Sequence, residues 1–239
     1  MCDKRKVDIA IIGAMSEEVD ALAIHLTKPV KYEALNSVYY LGKLCGHEVV
    51  IFQSGIGKVG AAISTTFLLE HFSPNYLINI GSAGGFDSQL SVGDIIISTE
   101  VCYHDVDVSM IGCEYGQVPN LPVAFKADSQ LVALANQAAK NIIGYKAFDG
   151  LVCTGDFFMS GAQSIALVRS HFPSVLAVDM EAAAIGHTCY LYNCPFVVVR
   201  AISDLVDNPS NNLDFYSFLA VAAKNSAHLV IDILKQLQS

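Results

Sequence analysis

Short, almost wholly apolar runs alternate with stretches of helical spacing along this chain, and that alternation restricts the fold more than any other feature. The runs include "VDIAIIG", "YLINIGS", "GLVCTG", "VLAVDM" and "FVVVRAIS". A strand that is apolar on both faces is typical of a parallel or mixed sheet that helices cover on each side. The sequence therefore predicts an α/β fold, with a mixed central β-sheet flanked by helices on both faces and residues 1–239 forming one domain.

Helical periodicity and turn signals place the remaining elements. "SVYYLGKL" and "HEVVIFQS" flank Cys45-Gly46 and predict a hairpin, and "DIIISTEVCYH" predicts one more strand. An apolar stripe from Phe215 onward predicts a C-terminal helix that packs on the sheet. Further helices are expected in "MSEEVDALAIHL", from about Val59 to Phe72, near Ser129–Ile143, near Ala162–His171 and in "EAAAIGHTCYLY".

A G-x-G-x-x-G pattern at Gly55, Gly57 and Gly60 follows an apolar run and opens a predicted helix, as in a dinucleotide-binding unit. Such a unit needs an acidic residue about 20 positions further on, at the end of the next strand, to hold the ribose. Here the next strand, "NYLINIGSAGG", ends in glycines without a carboxylate. We therefore predict no dinucleotide cofactor, and interpret the glycines as a tight turn that approaches a ligand or a neighbouring strand.

Charge and cysteine usage exclude several classes of function. The net charge of −9 opposes non-specific binding to nucleic acid or to an anionic membrane and favours a small neutral or cationic ligand. The seven cysteines lack a C-x-x-C or zinc-like spacing, which argues against a disulfide framework and a metal site. No secretory signal and no membrane span is predicted, so we expect a cytoplasmic protein.

Polar side chains and glycines follow several of the predicted strands, where ligands bind in open α/β sheets. Taken singly, each has a structural explanation: an acid in a first helical turn, a cap, or a core aromatic. Their arrival at one sheet edge predicts a binding site. These residues are Met15, Glu17, Glu18, Ser82, Ala83, Gly84, Asp156, Phe157, Phe158, Met159, Met180, Glu181, Ser203 and Asp204.

Several motifs, in order, resemble the 5′-methylthioadenosine/S-adenosylhomocysteine nucleosidases of the purine nucleoside phosphorylase superfamily. They are "IGAMSEEVDAL", "SGIGKVGAA", "NIGSAGG", "VGDIIIS", "YHDVDV", "GQVPN", "TGDFFM", "VDMEAAAIGH" and "PFVVVRAISDLVD". The resemblance covers about Asp8 to Lys235 and implies a single nucleoside phosphorylase-like domain, a homodimer and no cofactor.

The resemblance implies an N-glycosyl hydrolase that splits the N9–C1′ bond of a 5′-thioadenosine, or of 5′-deoxyadenosine, through an oxocarbenium-like transition state. Asp204 would protonate adenine N7, and Glu18 would act as general base toward the attacking water. This division of labour parallels that of inverting glycosidases. Glu181 would accept hydrogen bonds from the ribose 2′- and 3′-hydroxyls.

The same resemblance assigns the remaining pocket residues. Met180 would pack beneath the ribose, Phe158 would stack on adenine, and the Met159 backbone would bind the edge of the base. Ser82 and Arg200 would orient the water, and Ser203 would support Asp204. The 5′ substituent would contact Met15, Ile56, Phe158, Met180 and Phe215. Met110, Ile111 and Pro119 would come from the partner subunit.

The chain departs from the family pattern at several positions. Ser16 stands where relatives often have an acid, Asp179 where they have a glutamate, and Phe157 where they have a smaller residue. These changes leave the catalytic roles intact. Ile111 and Cys113 stand where some members have aromatic residues, which leaves the preferred 5′ substituent open.

Three alternatives remain at this point. The first is a nucleoside phosphorylase, although the early loop carries Glu17 and Glu18 and no arginine for phosphate. The second is a non-catalytic nucleoside-binding domain, which the joint presence of Glu18, Glu181 and Asp204 disfavours. The third is a nucleosidase for another 5′-substituted adenosine such as aminodeoxyfutalosine.

Overall fold

The computed structural model describes residues 4–141 and 144–237, and a ten-stranded mixed sheet runs through the centre of the molecule. The strands are β1 (Arg5–Lys6), β2 (Ile9–Gly13), β3 (Thr27–Ala34), β4 (Ser37–Leu44), β5 (His47–Gln53), β6 (Phe72–Ser73), β7 (Tyr76–Gly85), β8 (Ile95–Tyr103), β9 (Ala124–Lys126), β10 (Ala147–Thr154), β11 (Val175–Asp179) and β12 (Phe196–Leu205). The α-helices are α1 (Ser16–Ala23), α2 (Lys58–His71), α3 (Ser129–Ala139), α4 (Ala162–His171), α5 (Ala182–Tyr192) and α6 (Asn211–Gln236).

The main sheet has the order β11-β10-β8-β12-β7-β2-β5-β4-β3, with β9 paired to β8 and the short β1–β6 pair separate. It is mixed because β12 is parallel to β7 but antiparallel to β8. Strand β11 also pairs with the end of β7, with Ala177 opposite Gly85 and Val178 opposite Gly84. This second pairing closes β7, β12, β8, β10 and β11 into a ring and brings the ends of β7, β11 and β12 together.

Helices cover both faces of the sheet, as predicted. On one face, α2 and α5 supply Ala61, Leu68 and Ile185 to a buried apolar cluster. On the other face, α1, α3 and α6 pack against the opposite sides of the same strands through residues such as Leu22 and Leu229. Each fully buried leucine or isoleucine side chain of these clusters contributes about 1.5–3 kcal/mol. The predicted α/β class is confirmed.

The predicted hairpin is confirmed, since β4 and β5 pair antiparallel with Leu44 opposite His47. Cys45 and Gly46 both have positive φ (52° and 92°), as a two-residue turn between twisted strands requires. Strand β3 has no counterpart in the prediction.

Three helix boundaries differ from the sequence prediction by three residues or more. Helix α1 ends at Ala23, short of the predicted Leu26. Helix α6 begins at Asn211, before the predicted Phe215. Helix α3 ends at Ala139, short of the predicted Ile143, and residues 142–143 lie outside the described part of the chain.

Helix α6 is long and apolar enough, over Asp214–Gln236, to cross a membrane by length and composition alone. The prediction that no segment has the length and composition of a membrane span is therefore wrong for Asp214–Gln236. In the fold, Val230, Ile233 and Leu234 of this helix are completely buried and cluster with Val197 and Val199 of β12. Such packing is typical of a core helix.

Candidate active site

A cavity opens at the carboxyl ends of β2, β7, β11 and β12, where ligands bind in α/β sheets. The space between its lining atoms, including the open mouth, is about 770 Å³. The lining residues are Ala14, Met15, Glu18, Ile56, Ser82, Ala83, Gly84, Phe157, Phe158, Met159, Val178, Asp179, Met180, Glu181, Ser203, Asp204 and Phe215. Glu18 and Asp204, the predicted base and acid, thus face one cavity.

Glu18 lies in the first turn of α1, and its side chain turns back over the start of the helix. Its Oε2 atom accepts hydrogen bonds from the amides of Ala14 (2.7 Å) and Met15 (3.1 Å), and its Oε1 atom accepts one from the Ser82 amide (3.1 Å). Burial raises the pKa of Glu18, while the positive charge of Arg200 and these amides oppose the rise. A buried, fixed carboxylate with raised proton affinity suits a general base.

Asp204 also lines the cavity and is 2% exposed. The register of β12 against β7 shifts between Ile202 and Asp204, so a bulge sets the direction of this side chain. The Ser203 hydroxyl donates to Asp204 Oδ1 at 2.8 Å. The predicted contact between these two residues is present, and the role of Asp204 in catalysis remains a prediction.

Arg200 is completely buried and lies behind the cavity wall, so it does not itself line the cavity. Its Nε and Nη2 atoms donate to Asp179 Oδ2 at 2.9 and 2.5 Å, and Nη2 also donates to Asn79 Oδ1 at 2.7 Å. The Nη1 atom has no hydrogen-bond partner among the described residues. A methyl group at Gly81 would lie 2.6 Å from Nη1 and 3.1 Å from Glu18 Oε1, so Nη1 and the Glu18 carboxylate occupy neighbouring space.

Glu181 directly precedes α5, is 7% exposed, and accepts a hydrogen bond from the Gly57 amide at 2.8 Å. Burial raises the pKa of Glu181 to about 8, and the negative charge of Asp179 adds to the rise. Arg200 opposes it from 4.0 Å, yet the guanidinium binds Asp179 more closely. The Gly-rich turn therefore reaches a carboxylate of the cavity.

The raised pKa of Glu181 predicts a pH-dependent stability of the free protein. Between the ordinary glutamate pKa of 4.5 and the raised pKa of about 8, the folded state holds this proton more tightly than the unfolded chain does. The stabilisation is complete below the lower value and is lost as pH rises through the upper one. The free energy of unfolding then falls by up to about 1.4 kcal/mol per pH unit.

Replacing Glu181 with glutamine, a neutral isostere, should reduce this fall. Denaturant unfolding between about pH 6 and pH 9 measures it. The control is Glu33→Gln on the exposed strand β3, which should keep the wild-type pH profile. Identical profiles for wild type and Glu181→Gln would contradict the electrostatic description of the cavity.

The apolar part of the cavity is formed by residues on both sides of its mouth. Phe158 packs edge-to-face on Phe215, with ring centroids 5.8 Å apart, and Ile56 is 62% exposed. Met159 is 4% exposed, and Met15 and Met180 also line the cavity.

Sequence reasoning did not assign Ala14, Val178 and Asp179 to the site, although they line the cavity. All three lie in the quoted motifs, which was the available signal. Phe157, a predicted strand-end residue, also lines the cavity. The ring of Phe157 meets His104 edge-on at 5.0 Å.

The segment predicted to come from a partner subunit lies apart from this cavity. Met110 and Ile111 form a short 3-10 turn (Ser109–Ile111) and are 97% and 72% exposed, and Pro119 is also exposed. None of the three lines the cavity of its own chain.

None of the cysteines of the described ranges lines the cavity. The six cysteines of the described ranges are free thiols, and the sulfurs of Cys102 and Cys153 lie 3.3 Å apart. Cys2 lies outside those ranges. Within residues 4–141 and 144–237, no cluster of three or more His, Cys, Asp or Glu side chains forms a metal site.

Known proteins with similar sequences place the chain in a superfamily. Residues 8–235 match the model of the phosphorylase superfamily. The 5′-methylthioadenosine/S-adenosylhomocysteine nucleosidase of Chromohalobacter salexigens is 50% identical over 229 residues, 96% of this chain and 97% of its own. That of a Geobacillus species is 50% identical over 230 residues, 96% and 99% of the two chains.

Solved structures agree with the sequence comparison. The nucleosidase of Neisseria meningitidis in complex with methylthio-immucillin-A has a TM-score of 0.93 and 41% identity, and the match covers 96% of this chain and 99% of that one. The nucleosidase of Colwellia psychrerythraea in complex with adenine has a TM-score of 0.93 and 42% identity, over 99% of both chains. The chain belongs to the 5′-methylthioadenosine/S-adenosylhomocysteine nucleosidase family of this superfamily.

Proposed function

We propose that this protein is an N-glycosyl hydrolase that splits 5′-methylthioadenosine and S-adenosylhomocysteine into adenine and the corresponding 5-thioribose. The observation that carries the proposal is the placement of two buried carboxyl groups, Glu18 and Asp204, on one nucleoside-sized cavity. Relatives with the same fold bind adenine and methylthio-immucillin-A, and a nucleoside-sized cavity can accommodate ligands of that size.

Cleavage of an N-glycosidic bond develops negative charge on the departing base and positive charge on the sugar. Asp204, held by the Ser203 hydroxyl, donates a proton to adenine N7, so that the base leaves as a neutral molecule. Glu181 accepts hydrogen bonds from the ribose hydroxyls and places a carboxylate near the cationic sugar.

Glu18 takes a proton from the attacking water. The Ser82 hydroxyl lies 3.5 Å from Glu18 Oε1, and Arg200 Nη1 occupies adjoining space. Both groups can therefore hold a water molecule within reach of Glu18, the general base. This arrangement supports the predicted orienting role of Ser82 and Arg200, with Arg200 acting from behind the cavity wall.

Water suits this cavity better than phosphate does. Arg200 is the positive side chain that contacts Asp179 and Glu181, and Asp179 binds two of its nitrogens. A phosphate dianion would meet the acidic groups of Glu18 and Glu181, while Asp179 already binds two nitrogens of the Arg200 guanidinium. This arrangement favours hydrolysis over phosphorolysis.

Adenine release in phosphate-free buffer tests the reaction class. We expect full activity on methylthioadenosine without phosphate and no increase when phosphate is added. Adenosylhomocysteine and 5′-deoxyadenosine, assayed in parallel, rank the tolerance for the 5′ substituent. Absolute dependence on phosphate would show that the enzyme is a phosphorylase.

We further propose that the enzyme acts as a cytoplasmic homodimer, without nucleic acid or membrane partners. Ile56, Val59, Met110 and Ile111 are 62–97% exposed, and such exposure of large apolar side chains favours their burial by a second subunit. The net charge of −9 and the free thiols support the remaining parts of the proposal.

A further inference from the structure

Three charged residues from separate segments meet beside the cavity, and the proposed mechanism does not use them. The Lys58 ammonium donates to both carboxylate oxygens of Asp105 at 2.7 Å. The Asp156 amide donates to Asp105 Oδ2 at 2.9 Å. The Asp156 carboxylate in turn accepts a hydrogen bond from the Lys58 amide at 2.7 Å. We call these three residues the clamp.

The clamp is joined directly to the ribose end of the cavity. Lys58 is the first residue of α2 and follows Gly57, whose amide donates to Glu181 at 2.8 Å. Gly57 is the N-cap of α2 and has no side chain to cap the helix, so the Asp156 carboxylate supplies the missing acceptor from another segment. The orientation of the Gly57 amide therefore depends on Asp156.

The environment makes the Lys58–Asp105 pair stronger than an ordinary surface pair. The two side chains are 23% and 18% exposed, and the ammonium also lies 5.3 Å from the centre of the Tyr103 ring. Without the lysine charge, the neighbouring carboxylates of Asp105 and Asp156 would repel each other. Gly57 itself has a φ of 94°, and a methyl group there would lie 3.1 Å from Asp156 Oδ1.

We propose that Lys58, Asp105 and Asp156 are positioning residues that hold the Gly57 amide on Glu181 and thereby aim the Glu181 carboxylate at the ribose hydroxyls. The inference rests on the proposed nucleosidase function. The clamp touches neither the departing base nor the attacking water in this scheme, so its contribution passes through the contact between Glu181 and the sugar.

The test compares Lys58→Met with wild type on two substrates, methylthioadenosine and its 2′,3′-dideoxy analogue. On methylthioadenosine, kcat/KM should fall about 10–100-fold, because a misplaced carboxylate no longer meets the hydroxyls. On the dideoxy analogue the same substitution should cost less than threefold, since the hydroxyls that Glu181 binds are missing. Lys58→Arg, which keeps the positive charge and can donate to both Asp105 oxygens, should restore most of the activity.

Lys43→Met is the matched control, because it removes an exposed ion pair with Glu48 far from the site and should leave kcat/KM unchanged. If Lys58→Met fails to fold, Asp105→Asn carries the same prediction. Equal losses of kcat/KM on both substrates would show that the clamp has a merely structural role. That result would overturn the proposed positioning role while leaving the nucleosidase function standing. A wild-type protein that does not hydrolyse methylthioadenosine would overturn both proposals.

Discussion

Replacing Asp204 with asparagine should abolish measurable hydrolysis of methylthioadenosine while leaving nucleoside binding almost intact. Asparagine has nearly the same shape and can still accept the hydrogen bond from Ser203, but it has no proton to transfer to adenine N7. Loss of the proton transfer alone costs about 10²–10⁴-fold in kcat. Adenine release measures turnover, and calorimetric titration with an uncleavable nucleoside analogue measures binding.

The chain offers a matched control three residues further on. Asp207 is exposed and pairs with Arg169 on the surface, so Asp207→Asn should retain wild-type turnover. Turnover within tenfold of wild type in Asp204→Asn would show that another group protonates the base.

Glu18→Gln is the second substitution with a large expected effect. The amide cannot accept a proton from water, so kcat should fall by about 10²–10⁴-fold. Its NH₂ group also meets backbone N–H donors where the carboxylate accepted three hydrogen bonds, which costs about 1–3 kcal/mol of stability. Adenine release and denaturant unfolding measure the two effects.

Glu17→Gln serves as its control. Glu17 is adjacent in sequence, exposed, and bonded only to the Ser16 hydroxyl at 3.0 Å among the described contacts. The control should keep both activity and stability. If the Glu18→Gln enzyme retained the wild-type kcat, Glu18 would not be the general base.

Much of the fold follows from local sequence signals, because both faces of the central strands are buried. Runs such as Phe196–Val199 have no polar position, and that pattern specifies a covered strand. Strand β3 gave no such signal, since seven of its eight residues are exposed and Pro29 interrupts it. Its position depends on pairing with β4, which is a tertiary contact.

The ring closure at the end of β7 was also beyond sequence reasoning. Gly84 and Gly85 pair with β11, and a methyl group at Gly85 would lie 2.9 Å from the Leu205 side chain. A pair of glycines is equally compatible with a turn or a ligand-binding loop, so its composition does not reveal a strand pairing.

The site residues could be named from motifs, but their electrostatic relations could not. The ion pair between Asp179 and Arg200 joins two strands, and it decides that Arg200 stands behind the cavity. The clamp likewise joins Lys58, Asp105 and Asp156 from three motifs that are remote in sequence. Such pairings depend on distances that no local pattern encodes.

A crystal structure of this protein with methylthio-immucillin-A tests the proposed mechanism most sharply. The mechanism predicts the Asp204 carboxyl within hydrogen-bond distance of N7 of the bound base, and a water between Glu18 and the opposite face of the sugar. A complex in which Asp204 points away from the base, or in which Glu18 has no room for a water beside the sugar, would contradict it.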